Sequence, residues 1–317
     1  MAKRIRVPLP GMELGHVNAY LLECGGEYGL IDVGLATYDA AVGLLRGLKE
    51  LGIKPSDIGY VFATHYHADH ITLISLLSQL ASPEYYMGEA ELAFLQGVGG
   101  VSQFFSRLLE EFKRHGVPQQ LLDEMARVAP MVRFKKAFED VFDLPWRGVK
   151  DGEALPCGLR AVATPGHTPG HVVYAAQGYA FTGDHVLPKI TPNVSWWFEV
   201  EGFNPLAEYL KSLEKVKALG RGLPAHGDEL DIGKRVEEIE GHHRERLEDV
   251  SKAVEEPATA FEAARRIRWD IGPFDSLDPY NKLFAIGEAL AHLYYLESLG
   301  AVEAVERGGV VVWRRKL

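Results

Sequence analysis

The stretch Thr64-His65-Tyr66-His67-Ala68-Asp69-His70 sets four strong metal ligands within six residues. In an extended segment residues i and i+2 face the same side, so His65 and His67 can address one ion. Asp69 and His70 lie past the bend and can address a second point nearby. Imidazole with carboxylate suits zinc or a similar transition ion. A solvated, His-rich loop is the plain alternative, and the joint spacing weighs against it. Later segments add candidates. In Thr164-Pro165-Gly166-His167-Thr168-Pro169-Gly170-His171, proline and glycine make a tight loop with His167 at its tip, read as a ligand. His171 opens the next strand and reads as a supporting or structural group. Thr182-Gly183-Asp184-His185 ends a strand, and of its two polar residues Asp184 is taken to face the site. Ala225-His226-Gly227 adds a histidine at another strand end.

The elements that must position these side chains can be read from apolar patterning. Tyr60-Val61-Phe62-Ala63 is a buried strand, and Ile71 to Leu80 reads as a helix, so the first cluster lies on a strand-to-helix turn. Val17 to Glu23 and Tyr28 to Val33 read as paired strands about a turn at Cys24-Gly25-Gly26-Glu27. Asp32, at the end of the second, is either a cap for the helix from Tyr38 to Leu51 or an acceptor that orients a metal-bound histidine. Residues from Glu89 to about Lys150 change to helical periodicity and read as an insertion, either a lid or a helical layer on the core. Within it Met125, Met131, Phe134 and Phe138 are pocket-lining or core residues. Trp196-Trp197-Phe198 reads as a hydrophobic plug or a pocket wall.

Composition narrows the classes. The chain has 317 residues, 47% of them apolar, and a formal net charge of −10. Such a balance does not draw polyanions at long range, so nucleic-acid or anionic-membrane binding would need a local basic patch. Cys24 and Cys157 are the only two cysteines and are far apart. No disulfide framework is implied, and both read as small buried hydrophobes. The basic N-terminus lacks the apolar core of a signal peptide, and no stretch reaches the length of a membrane span. A cytoplasmic location is the expectation.

The ordered set His65, His67, Asp69, His70, His167, Asp184 and His226 resembles that of metallo-β-lactamase-fold hydrolases. Thr-His-Tyr-His-Ala-Asp-His at 64–70, Thr-Pro-Gly-His at 164–167, Thr-Gly-Asp at 182–184 and Ala-His-Gly at 225–227 carry the likeness. It implies an α/β fold, an αββα sandwich with the site at one edge, over residues 1–240 with the insertion at about 89–150. It implies two divalent metal ions, zinc in most members and iron or manganese in some. His65, His67 and His167 would hold the first, and Asp69, His70 and His226 the second, with Asp184 bridging. A metal-bridging hydroxide would attack a small ester- or thioester-type substrate, with Asp69 orienting it and accepting its proton. Tyr66 and His171 are candidates to assist the oxyanion or leaving group.

Residues 241–317 pattern as three helices and a hairpin around Arg307-Gly308-Gly309. They resemble the small winged-helix-like domain of the β-lactamase-like protein 2 group, which makes single-stranded RNA a rival substrate. The segment 279–299 carries Lys282 as its only Lys or Arg and is a poor groove reader. Arg265, Arg266, Arg268, Arg314, Arg315 and Lys316 form a basic patch unless acidic neighbours pair with them. A small-molecule substrate is therefore preferred, with homo-oligomerisation left open. An RNA endonuclease and a winged-helix regulatory protein with an inert metal site are the rivals. Lactonase, β-lactamase and iron-dependent sulfur dioxygenase chemistry remain within the fold's range.

Overall fold

A computed structural model describes residues 2–12, 14–97, 99–196 and 200–316, leaving the side chains of residues 101, 130 and 131 aside. Met131, by its side chain, and Trp197 and Phe198 thus lie outside the described residues. Strands β1 (Lys3–Pro8), β2 (His16–Cys24), β3 (Glu27–Ile31), β4 (Ile58–Phe62), β5 (Glu84–Gly88) and β6 (Trp146–Val149) form a six-stranded sheet in that order. Pairing is antiparallel through β3 and parallel from β3 to β6. β7 (Arg160–Ala163), β8 (Val172–Ala176), β9 (Tyr179–Gly183), β10 (Arg221–Pro224) and β11 (Leu230–Asp231) form a five-stranded sheet, in reverse order.

The two sheets pack face to face. Tyr20, Leu22, Ile31, Phe62 and Tyr86 of the first meet Ala161, Val172, Tyr174, Phe181 and Leu223 of the second. Helix α1 (Tyr38–Glu50) and the short helices α2 (Ala68–Ile71) and α3 (Ile74–Leu77) cover the outer face of the first sheet. The run from Ile71 to Leu80 is therefore broken into two turns rather than one helix. Thr37 caps α1 by accepting from the Ala40 N–H, a bond typically worth about 1 kcal/mol. Asp32 is thereby free for another role.

Between β5 and β6 run α4 (Glu89–Gly97), α5 (Val101–Arg114), α6 (Gln119–Val128), α7 (Pro130–Arg133) and α8 (Lys135–Phe142). The helical segment closes at Phe142, and residues 146–149 return to the sheet, so the insertion is shorter than its periodicity suggested. The second sheet is backed by α9 (Pro205–Val216) and α10 (Ile232–Ala253), through Leu206, Tyr209, Leu213, Val236 and Ile239.

The chain ends with α11 (Ala260–Arg266), β12 (Arg268–Trp269), β13 (Gly272–Pro273), α12 (Pro279–Ser298), β14 (Val302–Arg307) and β15 (Val310–Arg315). The residue-240 boundary falls inside the single helix α10. Phe105, Phe112, Leu122 and Met125 of the insertion share one apolar core with Val250, Ala263, Ile286, Leu290 and Trp313. The insertion is a packing layer under the C-terminal segment, and Met125 and Phe138 are core residues.

Cys24 and Cys157 correct the sequence reading. They are half-buried and joined in a disulfide, with Cα atoms 4.5 Å apart. A sequence separation of 133 hid the pair; sheet packing brings the end of β2 beside the turn before β7. Among the described residues no helix is long and apolar enough to cross a membrane.

Candidate metal centre

His67 is the N-cap of α2, still extended, so His65 and His67 project together while Asp69 and His70 ride the first helical turn. The nitrogens His65 Nε2 and His167 Nε2 lie 2.9 and 3.0 Å from His67 Nδ1. Asp184 Oδ2 is 3.8 Å from His167 Nε2 and 3.5 Å from His70 Nε2. Its Oδ1 is 3.5 Å from His226 Nε2, which is 3.3 Å from Asp69 Oδ2. All seven expected residues are thus brought together, in two groups: His65, His67, His167 and Asp184, and Asp69, His70 and His226. Asp184 touches both. His185, its neighbour in sequence, turns away and packs its ring on Tyr209.

Two loops need glycine to make this approach. At Gly166, φ is +142°, and a Cβ would strike the Tyr209 backbone. At Gly183, φ is +52°, and a Cβ would lie 2.7 Å from His171 Nε2. Any side chain there would push Asp184 off its line.

The outward nitrogens settle which lone pairs face inward. His70 Nδ1 donates to Asp32 Oδ2 at 2.9 Å, His167 Nδ1 to the Asn193 carbonyl at 2.7 Å, and His226 Nδ1 to the His16 carbonyl at 2.8 Å. Thr64 Oγ1 donates to Asp32, so it accepts from His65 Nδ1. Each of these rings therefore carries a proton on Nδ1 and turns its Nε2 to the centre. His67 Nδ1 has at most one proton, which cannot serve both His65 Nε2 and His167 Nε2. His70 Nε2, His226 Nε2 and Asp184 Oδ1 are buried without a hydrogen-bond partner. Such lone pairs call for a cation, and the donor set fits divalent zinc, iron or manganese.

Electrostatics agree with this. Burial holds the His65 imidazole well below its usual range and His67 at about 3, so both are neutral. Burial pushes the Asp69 carboxyl up, but His70 and His226 outweigh it and hold it at about 2. His70 is pushed up despite burial, by Asp184, Asp69 and Asp32. A proton there occupies the place a metal would take.

Asp32 does not cap α1, whose cap is Thr37, and instead accepts from His70. Its carboxylate also accepts the Thr64 N–H at 2.9 Å, and its own φ is +53°, a strained conformation for a non-glycine residue. Sequence reasoning missed Glu91. This fully buried residue opens α4 and accepts from the Tyr66 N–H, Thr168 Oγ1 and the Gly170 N–H, at 2.9, 2.8 and 2.7 Å. It braces the 64–70 loop to the 164–171 loop, and burial pushes its carboxyl up to about 7. An acid at the start of an insertion helix gave no signal of that reach. The half-buried phenol of Tyr280, on α12, is pushed up in pKa by burial and by the charges of Asp69, Asp278 and Asp184. Tyr66 and His171 are buried in the scaffold, at 1% and 0% exposure.

Half of the C-terminal basic patch is paired with acids. Arg265 pairs with Asp275, Arg314 with Glu303 and Arg315 with Glu255, and Arg266 donates to the carbonyls of Ala253 and Glu256.

The Metallo-beta-lactamase superfamily is matched over residues 12–223, and the Metallo-beta-lactamase-like, C-terminal domain over residues 247–316. The probable metallo-hydrolase YqjP of Bacillus subtilis is 27% identical over 98% of this chain and 96% of its own. The atrochrysone carboxyl ACP thioesterase of Aspergillus fumigatus is 27% identical over 69% of this chain and 53% of its own. A metallo-beta-lactamase family protein of Thermus thermophilus superposes with a TM-score of 0.80 at 30% identity, over 99% of this chain and 98% of its own.

Proposed function

The chain belongs to the metallo-beta-lactamase superfamily, and on that premise we propose that it is a hydrolase using two divalent cations, zinc by preference, to cleave a small ester or thioester. One observation carries the reading: inward lone pairs of His65 Nε2, His67 Nδ1 and His167 Nε2 stand beside an Asp184 whose other oxygen faces His226. His65, His67 and His167 would hold the first ion, and Asp69, His70 and His226 the second, with the Asp184 carboxylate within reach of both groups. When bound, such a pair brings a shared water to a pKa near neutrality and polarises the carbonyl to be attacked. The Asp69 carboxylate orients the attacking water and takes its proton. The water oxygen then adds to the carbonyl carbon, the bond to the thiolate or alkoxide breaks, and the proton passes to that leaving group. Asp32 and the carbonyls of Asn193 and His16 keep the imidazoles aimed throughout.

The thioesterase among the relatives supports this substrate class, and so do the acids that pair with Arg265, Arg314 and Arg315. Residues 1–240 carry the donor set. Residues 241–317, winged-helix-like in their order of helices and hairpin, serve it as a support rather than as a nucleic-acid reader. The test is metal analysis joined to a panel of thioester, lactone, β-lactam, bis-aryl phosphodiester and labelled RNA. Two divalent ions per chain are expected, with thioester turnover indifferent to salt, lost on chelation and restored by zinc. Salt-sensitive RNA cleavage would replace the substrate class. Full turnover without metal would overturn the mechanism.

A further inference from the structure

A continuous line of contacts runs from His167 into the C-terminal segment. The carbonyl that receives the His167 Nδ1 proton belongs to Asn193, in the loop between β9 and α9. The side chain of that same residue is clamped on α12: Asn193 Nδ2 donates to the Phe284 carbonyl and to Glu288 Oε2, both at 3.3 Å. Ser195 Oγ donates to Asn193 Oδ1. The Trp196 N–H donates to the Gly287 carbonyl at 3.2 Å, and the Trp196 ring stacks on Tyr294 with centroids 3.7 Å apart. The loop is thus zipped along α12. Glu288 is itself held from behind. Its Oε1 accepts from Arg246 Nε at 3.2 Å, and Arg246 donates to the Arg268 carbonyl and lies over the Trp269 ring. Arg246 is only 5% exposed.

A buried ion pair and a glycine are costly ways to hold a plain loop. A Cβ at Gly287 would meet Ser195 Oγ at 2.7 Å, so the helix has glycine where the loop presses closest. We propose that Glu288, Gly287 and Arg246 are positioning residues for the metal centre. Through Asn193 they set the direction of His167, so the C-terminal segment completes the first ion's site. The inference rests on reading His167 as a ligand. It predicts that loosening the line weakens the His65, His67 and His167 group and spares the Asp69, His70 and His226 group, because the hydrogen bonds of Asn193, Ser195 and Trp196 run to His167, to one another and to α12 rather than to the latter. Loss of such an outer partner typically lowers metal affinity about 10–100-fold.

The test is cobalt(II) titration of the metal-free full chain, read by visible absorption. His167→Ala identifies which binding step belongs to the first group. Glu288→Gln and Gly287→Ala are each expected to weaken that step about tenfold and leave the other unchanged. Ser195→Gly added to Gly287→Ala removes the collision and is expected to bring the step back to within about threefold of the parent. Leu296→Ala, a cavity in the same C-terminal core, lowers thermal stability and leaves both steps alone. Should Gly287→Ala fail to fold, Glu288→Gln decides alone. If the parent shows two steps and the variants match it, the positioning role is overturned while the proposed function stands. Equal weakening of both steps, or no rescue by Ser195→Gly, overturns it too. A parent that binds no cobalt removes both.

Discussion

Among the described residues, two clusters of buried histidines stand in contrast, and one of them is arranged so that it could hold a metal. In the C-terminal segment His292 Nδ1 donates to the Glu288 carbonyl, and His292 Nε2 accepts from His243 Nδ1 at 3.1 Å. One ring's proton fills the other's lone pair. In the metal centre, by contrast, the protons are drawn outward by Asp32, Thr64, Asn193 and His16, and the lone pairs that remain face one another and two carboxylates. Burial is common to both groups and decides nothing. The direction of the second ring nitrogen decides, and oxygen acceptors on the surrounding loops set it.

The comparison breaks most sharply at Asp184. Asp184→Ala is expected to abolish turnover and empty both ion sites in metal analysis, whereas His243→Ala keeps two ions per chain. Retained metal in the first variant would dissolve the distinction. A lesser effect is expected one layer out. Asp32→Ala frees both Thr64 and His70, and should lower metal affinity about 10–100-fold by competitive chelation.

These residues also explain how much could be read in advance. His65, His67, Asp69 and His70 were legible because their ligand types crowd one turn, and His167, Asp184 and His226 because each ends an apolar run. Asp32 was half legible, since an acid after a strand fits two roles and only the contact with His70 chooses. Glu91, Glu288 and Arg246 were illegible. They act across 77, 95 and 42 residues of sequence, and a single acid or base on a helix looks like a solvated charge. The strands were visible in their apolar runs, and the sandwich they build was implied by the family resemblance of the motif set. The disulfide was not, nor the core shared by insertion and C-terminal segment, because both depend on long-range packing.

Acidity sharpens the comparison further. Burial holds His292 at about 3 and, more than the nearby Arg114, His115 at about 4. Folded values below the unfolded 6.5 mean that the unfolded chain takes up these protons first. Their contribution is present above pH 6.5 and is lost as pH falls toward 3–4, at about 1.4 kcal/mol per pH unit for each group. His70 and His226 are raised, by the carboxylates around them. In the metal-free protein their contribution is present below 6.5 and is lost as pH rises through their folded values. Chemical denaturation of metal-free protein should show both limbs, and saturating zinc should remove the alkaline one. The smallest effect is expected from His292→Asn, which keeps a donor for the Glu288 carbonyl. It should cost about 1 kcal/mol at neutral pH, soften the acid limb and leave metal content unchanged.

The bond between Cys24 and Cys157 closes a covalent ring around residues 24–157, from the turn after β2 past the end of the insertion. A protease that nicks an exposed corner among α4 to α8 cannot release a fragment. The clipped chain keeps its mass on a non-reducing gel and parts in two only when a thiol is added.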